Sequence, residues 1–341
     1  MSRRAVRTLL ATALVALALA AVSLVGCGGS GGPSIALYNG QHSELTRALV
    51  DAFEKESGIE VHMRTNDSIV LADQILQEGG GSPADVYLAE NTPELMTLQQ
   101  HGTLAKLHSS TLGQVTAQNE SPTGEWIGMA LRVSSLVYDP ARVAAPELPA
   151  SILDLAKPEW KGKVAIAPTD SDFPPLVGAV IAAHGTKVAA AWLAGLKRNA
   201  VTYQDEEAVV AAVNRGDAAS GLINQYYWYR LQLELGAKAM HSKLHYFPNH
   251  DVGSVTNLSG AAVIASSRHP EAAEQFVRFL VSEAGQKIIA QSDDFEYPVR
   301  PGVAPNSALP PLDTIAHITL STAAVDDNQL APKLMRQAGL Y

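Results

Sequence analysis

A strand-then-helix unit, repeated with a polar residue at each junction, limits what this chain can fold into more than any other feature. Ile35-Ala36-Leu37-Tyr38 reads as a strand and Asn39-Gly40-Gln41-His42 as a turn. Ser43 is placed to N-cap a helix that runs to Ser57 and stops at Gly58. Ile59, Val61 and Met63 alternate as a second strand, and Asp67 caps a helix to about Glu78. Ala84 to Ala89 is a third strand, delivering Glu90-Asn91 at its carboxyl end, and Thr92-Pro93 opens the next helix. Such alternation predicts an α/β fold with a parallel, doubly wound sheet, in which ligands bind beyond the carboxyl ends of strands.

The unit recurs with an unusual junction. Gly221 to Asn224 reads as a short buried strand, and Gln225 to Leu235 as a helix closing at Gly236. Tyr226 and Tyr227 stand side by side at its entrance. Within a strand they would face opposite ways, and within a helix they would diverge by about 100°. At a helix entrance both phenols can lean toward one point. Deprotonated phenols are hard donors that suit a highly charged hard cation, and such a cation pulls their pKa down from about 10. The pair alone reads as packed aromatics. His42 and Glu90, at the same kind of strand end, turn the reading toward a metal.

Two runs are longer than ordinary strands: Trp126 to Tyr138 and Val255 to Ala265. Both read as segments crossing between two lobes. Between them lie a short helix at Ser151–Ala156, a strand at Lys163–Ala167 and the turn Thr169-Asp170-Ser171-Asp172-Phe173. Helices follow at about Pro175–His184, Thr186–Asn199 and Glu206–Arg215, then at Pro270–Leu280 and Ala284–Gln291. A proline-rich connection, Pro301 to Pro311, leads to a tail expected to pack across the back. The histidines other than His42 read as surface or loop residues.

Residues 1–26 read as a secretory signal, with Arg3, Arg4 and Arg7 ahead of an apolar stretch from Leu9 to Leu24. Leu24-Val25-Gly26-Cys27 resembles a bacterial lipobox, which implies that Cys27 is lipidated and becomes the first mature residue, on a flexible tether over 27–33. Cys27 is the only cysteine, so the exported fold cannot rely on an internal disulfide. Removing residues 1–26 leaves 22 basic and 34 acidic side chains, a net of −12, which argues against a nucleic-acid partner. No nucleophile–base constellation, Walker loop or dinucleotide fingerprint is present.

With these positions assembled, the chain resembles the bacterial periplasmic ferric-ion-binding proteins, the substrate-binding components of iron ABC importers. Leu37-Tyr38-Asn39-Gly40-Gln41-His42, Ser82-Pro83-Ala84-Asp85-Val86-Tyr87 with Glu90, and Leu222-Ile223-Asn224-Gln225-Tyr226-Tyr227-Trp228 carry the likeness. It implies a two-lobed periplasmic-binding-protein fold of type II, each lobe a mixed, mostly parallel sheet flanked by helices. The expected lobes are 34–133 plus about 257–309, and 134–256 plus about 310–341. The resemblance implies His42, Glu90, Tyr226 and Tyr227 as ligands of Fe3+ carried as cargo, with carbonate or phosphate as a synergistic anion. It also implies a monomer, lipid-anchored through Cys27 to the outer face of the cytoplasmic membrane or periplasmic, working with a permease and a separate ATPase subunit.

The match departs from the family at the anion site. Relatives often hold phosphate at a Ser/Gly-rich helix start, and here the stretch reads Asp170-Ser171-Asp172, with Asp205-Glu206 near another anion-binding position. Carboxylates there repel phosphate. Either Asp170 or Asp172 supplies the missing oxygens, or Arg132 holds carbonate, or Asp170 only caps a helix; Asn91, Ser171 and Asn224 are further candidate positions. Rival readings are a binder of thiamine, a polyamine or an anion on the same fold, and a ferric oxygenase, which would need an open coordination site beside a substrate pocket.

Overall fold

The structure, a computed structural model, describes residues 32–319 and 330–340. The signal segment and Cys27 lie outside the described residues. The first strands and helices are β1 (Ser34–Asn39), α1 (Ser43–Ser57), β2 (Glu60–Thr65), α2 (Ser68–Glu78), β3 (Val86–Ala89) and α3 (Thr92–Gln100). After β4 (Trp126–Tyr138) come β5 (Val164–Ile166), α4 (Phe173–His184), α5 (Thr186–Asn199), β6 (Ala200–Thr202), α6 (Glu206–Arg215), β7 (Ser220–Asn224) and α7 (Gln225–Leu235). The chain continues through β8 (Lys243–His245), β9 (Thr256–Val263), α8 (Pro270–Leu280), α9 (Glu283–Gln291), β10 (Tyr297–Pro298) and α10 (Leu330–Gln337).

The strand order is β2-β1-β3-β9-β4-β7-β5-β6, with β8 and β10 also paired to β4. The two flanks are parallel, β1 between β2 and β3 on one side and β5 between β6 and β7 on the other. The long runs join them. Trp126 to Val133 of β4 pairs antiparallel with β9, and Ser134 to Tyr138 pairs antiparallel with β7. One strand thus belongs to two sheet halves, and all of its residues are buried. That double burial explains a sequence with no polar alternation.

Local chemistry accounts for most elements. Leu45, Leu49, Val50 and Phe53 form the buried stripe of α1, and Gly58 closes it in the left-handed conformation at φ 71°. The Asp67 carboxylate caps α2 by accepting the Ile69 and Val70 N–H groups. Apolar packing divides into two clusters, one containing Trp126, Phe276 and Tyr226, the other Trp160, Trp192 and Phe247. Strands β6, β8 and β10, of two or three residues each, were too short to carry a periodic signal. His245 accordingly sits half-buried in β8, its Nε2 2.9 Å from the Pro149 carbonyl, and not in a surface loop.

Candidate metal centre

The carboxyl ends of β1, β3, β5 and β7 converge on one place, and local packing fixes each. At the end of β1, Gly40 leaves no room for a side chain. A Cβ there would lie 2.2 Å from Ser68 Oγ, 2.9 Å from Ser68 Cα and 3.0 Å from the Leu88 carbonyl oxygen. Ser68 Oγ in turn accepts the Glu90 N–H at 2.9 Å, so this close approach positions both His42 and Glu90. Gly40→Ala is expected to force Ser68 aside and lower stability by about 1–3 kcal/mol, read as an earlier urea midpoint.

His42 takes the N-cap position expected for Ser43, which is instead the first helical residue, and no side chain caps α1. The His42 ring is turned into the site. Its Nε2 is 3.5 Å from Glu90 Oε1, and its Nδ1 is 3.2 Å from Asp294 Oδ1 but off the line of a good hydrogen bond. Burial pushes the imidazole pKa down, yet the Asp294 and Glu90 carboxylates outweigh it and raise the value to about 10. Burial pushes Glu90 up, but the hydrogen bond from His42 and the charge of Arg132 hold its carboxyl below the ordinary value.

Tyr226 and Tyr227 are the second and third residues of α7, buried at the end of β7. Their ring centroids are 4.1 Å apart at 30°, and the His42 ring meets Tyr226 at 5.3 Å. Gly221 lets α6 press onto β7 beneath them, since a Cβ there would meet Val209 Cγ1 at 2.3 Å. The Tyr226 hydroxyl donates to Asp172 Oδ2 at 3.2 Å. Burial first, and the Asp172 charge next, push both phenols well above 10. His42, Glu90, Tyr226 and Tyr227 are therefore brought together. Among the described residues no group of three or more His, Cys, Asp and Glu side chains is placed to hold a metal ion.

The candidate anion positions fare differently. Arg132, fully buried in β4, donates from Nη1 to Glu296 at 3.1 Å and from Nη2 to Asn91 Oδ1 at 2.7 Å, to Asp172 Oδ1 at 3.0 Å and to the Glu90 carbonyl. Its terminal nitrogens are committed to the protein, and only Nε lacks a partner. Asp170 accepts the Asp172 and Glu206 N–H groups at 3.0 and 2.9 Å, which makes it a brace between α4 and α6. Burial and the neighbouring Asp172 raise its pKa to about 6. Ser171 donates to Glu90 Oε2 at 3.2 Å, and Asn91 Nδ2 to the Ser171 carbonyl at 3.4 Å, joining the ends of β3 and β5. Asn224 donates its N–H to Glu206 at 2.6 Å and accepts from Ser134 at 3.4 Å, a structural part.

Three further acids line the site, and of these the residue pattern marks only Glu206, beside an expected anion position. Glu206 is buried, and burial with the Asp172 and Asp170 charges holds its proton well above the carboxylate range. Asp294 and Glu296 flank Phe295, whose φ of 52° is strained for a bulky residue and turns both acids into the site. Asp293-Asp294-Phe295-Glu296 carries no helical or strand period; the only available signal was acids bracketing an aromatic.

Residues 37–292 match the family model for bacterial extracellular solute-binding proteins. The chain is 38% identical over 306 residues to an Fe(3+)-binding periplasmic protein of Serratia marcescens, covering 90% of each chain. It is 34% identical to a major ferric iron-binding protein of Neisseria meningitidis, over 90% of this chain and 93% of that one. In three dimensions it resembles iron-bound HitA from Pseudomonas aeruginosa, with a TM-score of 0.86 and 40% identity over 90% of this chain and all of that one. It also resembles the Trichodesmium IdiA (FutA) complex with iron and citrate, with a TM-score of 0.79 and 29% identity over 90% of this chain and all of that one.

Proposed function

The chain belongs to the bacterial extracellular solute-binding proteins, among the periplasmic ferric-iron binders, and from that premise we propose that it captures ferric iron outside the cytoplasmic membrane for import. Solute-binding proteins of this family work with ABC importers. The cargo is handed to a permease driven by a separate ATPase subunit, and the protein itself is not an enzyme. The signal-like segment at residues 1–26 supports export, and the lipobox-like stretch ending at Cys27 supports a lipid anchor.

The ligands are His42 through Nε2, Glu90, Tyr226 and Tyr227. The observation that carries this reading is the convergence of an imidazole, a carboxylate and two adjacent phenols from three separate strand ends. Two phenolates and a carboxylate supply three negative charges to a trivalent ion, and the imidazole adds a neutral donor. Asp294 lies 3.2 Å from Nδ1, on the side of the ring away from Glu90, where a carboxylate commonly backs a metal-binding imidazole. The lobes are 34–133 plus about 257–309 and 134–256 plus about 310–341, a division supported by the exchange of sheet partners between Val133 and Ser134. Hinging at β4 and β9 would open and close the cleft over the ion. Titrating the purified protein with ferric citrate should produce a phenolate-to-iron absorption band that saturates at one ion per chain. A thermal-shift panel in which thiamine or a polyamine stabilised the protein and iron did not would overturn the reading.

Loading should be steeply pH-dependent. His42, with its pKa raised to about 10, and both phenols, raised above 10, carry protons at neutral pH that the ion must displace. Three protons leave per ion, so affinity rises with pH and falls about a thousandfold for each unit of acidification near neutrality. Calorimetry in buffers of different ionisation heat, corrected for protons taken up by the chelator, should count close to three. A count near one would contradict this ligand set.

A further inference from the structure

We propose that Gln225 is a positioning residue for the cargo ion, an uncharged latch that holds the tyrosine side of the cleft against the histidine side. This rests on the ferric reading and the lobe division above. Gln225 opens α7, directly ahead of Tyr226, and is fully buried. Its side-chain amide is committed at both ends. Oε1 accepts the Val133 N–H at 2.6 Å, and Nε2 donates to the Phe295 carbonyl at 3.0 Å. Gln225 belongs to the lobe of 134–256, whereas Val133 and Phe295 belong to the other. One side chain therefore spans the division through hydrogen bonds to main-chain groups, whose positions the fold itself fixes.

Both partners stand where lobe motion and metal binding meet. Val133 is the residue at which β4 ends its pairing with β9, before Ser134 takes up β7. Phe295 lies between Asp294, 3.2 Å from His42 Nδ1, and Glu296, to which Gln41 donates at 3.3 Å from the residue before His42. The Tyr229 ring, one turn along α7, adds a 5.6 Å contact with Phe295. Tyr226 is thus connected to His42 through Gln225, the Phe295 turn and Asp294, by a route that does not pass through the ion. Hinging between Val133 and Ser134 draws Gln225 away from both partners, and water takes their place. Exchanging buried hydrogen bonds for solvated ones disfavours the open form by a factor of about 5–30. An ion held by donors from both lobes leaves only when the cleft opens, so the same factor slows its release.

The test uses the full-length chain loaded with ferric iron. Gln225→Met keeps the length of the side chain and loses both bonds. Its phenolate-to-iron band should keep the wild-type position, because all the donors remain. Transfer of its iron to excess EDTA, followed by loss of that band, should run about 5–30-fold faster than in the wild type. A merely structural residue would lower the melting temperature and leave the release rate alone. Hydrogen exchange of the wild type supplies a second measurement that needs no variant. The Val133 amide, resolved by overlapping peptides, should exchange about 5–30-fold more slowly with iron bound than without it. A folded Gln225→Met protein that releases iron at the wild-type rate, a band that shifts along with faster release, or a Val133 amide indifferent to iron would each overturn the proposal. A wild type that forms no band at all would instead remove the ferric reading, and this proposal with it.

Discussion

Tyr226→Phe and Tyr227→Phe should each lose ferric affinity by more than the roughly 10–100-fold typical of removing an outer-shell partner, while leaving the empty protein folded. Each substitution deletes one hard anionic donor and keeps the ring. The 4.1 Å ring contact and the 5.3 Å contact of Tyr226 with His42 are preserved, so packing is little changed. Tyr226→Phe also removes the 3.2 Å hydrogen bond to Asp172, but Asp172 keeps its bond to Arg132. The stability cost of that one bond is about 1 kcal/mol. The single variants should show a weakened, displaced phenolate-to-iron band, and the double variant none. Ligand binding raises apparent stability by mass action, so the iron-induced rise in melting temperature should shrink in step. Colour retained at wild-type strength in either single variant would exclude that phenol from the coordination sphere.

Arg132→Met should be among the most destabilising single changes available in this protein. Among the described residues the guanidinium is the only cation bonded to both Asp172 and Glu296, and all three side chains are fully buried. Removing one partner of a buried ion pair costs about 3–5 kcal/mol, because the remaining charge is left uncompensated. The loss should depend on pH with a definite sign. Burial already pushes Glu296 up, and Arg132 is the main influence holding it down. In the variant its folded-state pKa rises further above the unfolded value. The folded state then binds a proton that the unfolded state releases, and stability falls as pH rises through the folded pKa. Urea unfolding should therefore show a larger deficit at pH 8 than at pH 5. Arg132→Lys should recover only part of the loss, since an ammonium cannot span the acceptors that the planar fork reaches. A deficit below about 1 kcal/mol at pH 8 would show that the carboxylates rearrange to water instead.

The sequence by itself determined most of the elements and marked the four side chains, His42, Glu90, Tyr226 and Tyr227, that the fold brings together. Helix caps, glycine stops and apolar spacing act over a few residues, so α1, α2, α6, β4 and β7 could be drawn from residue order alone. The tyrosine pair was legible for the same reason, because the geometry that aims both phenols one way belongs to a single strand-to-helix junction. Tertiary structure decided the charges. Arg132 and Glu296 are 164 residues apart in the chain, and no local pattern links them. Asp294 and Glu296 enter the site only because Phe295 takes a left-handed backbone, and Asp172 faces Tyr226 only because β5 and β7 lie side by side. The cost of burying a charge depends on which partners the finished fold brings within reach. For that reason Arg132, which the sequence offers as an anion clamp, turns out to have both terminal nitrogens engaged by the protein's own groups, the Glu296 and Asp172 carboxylates among them.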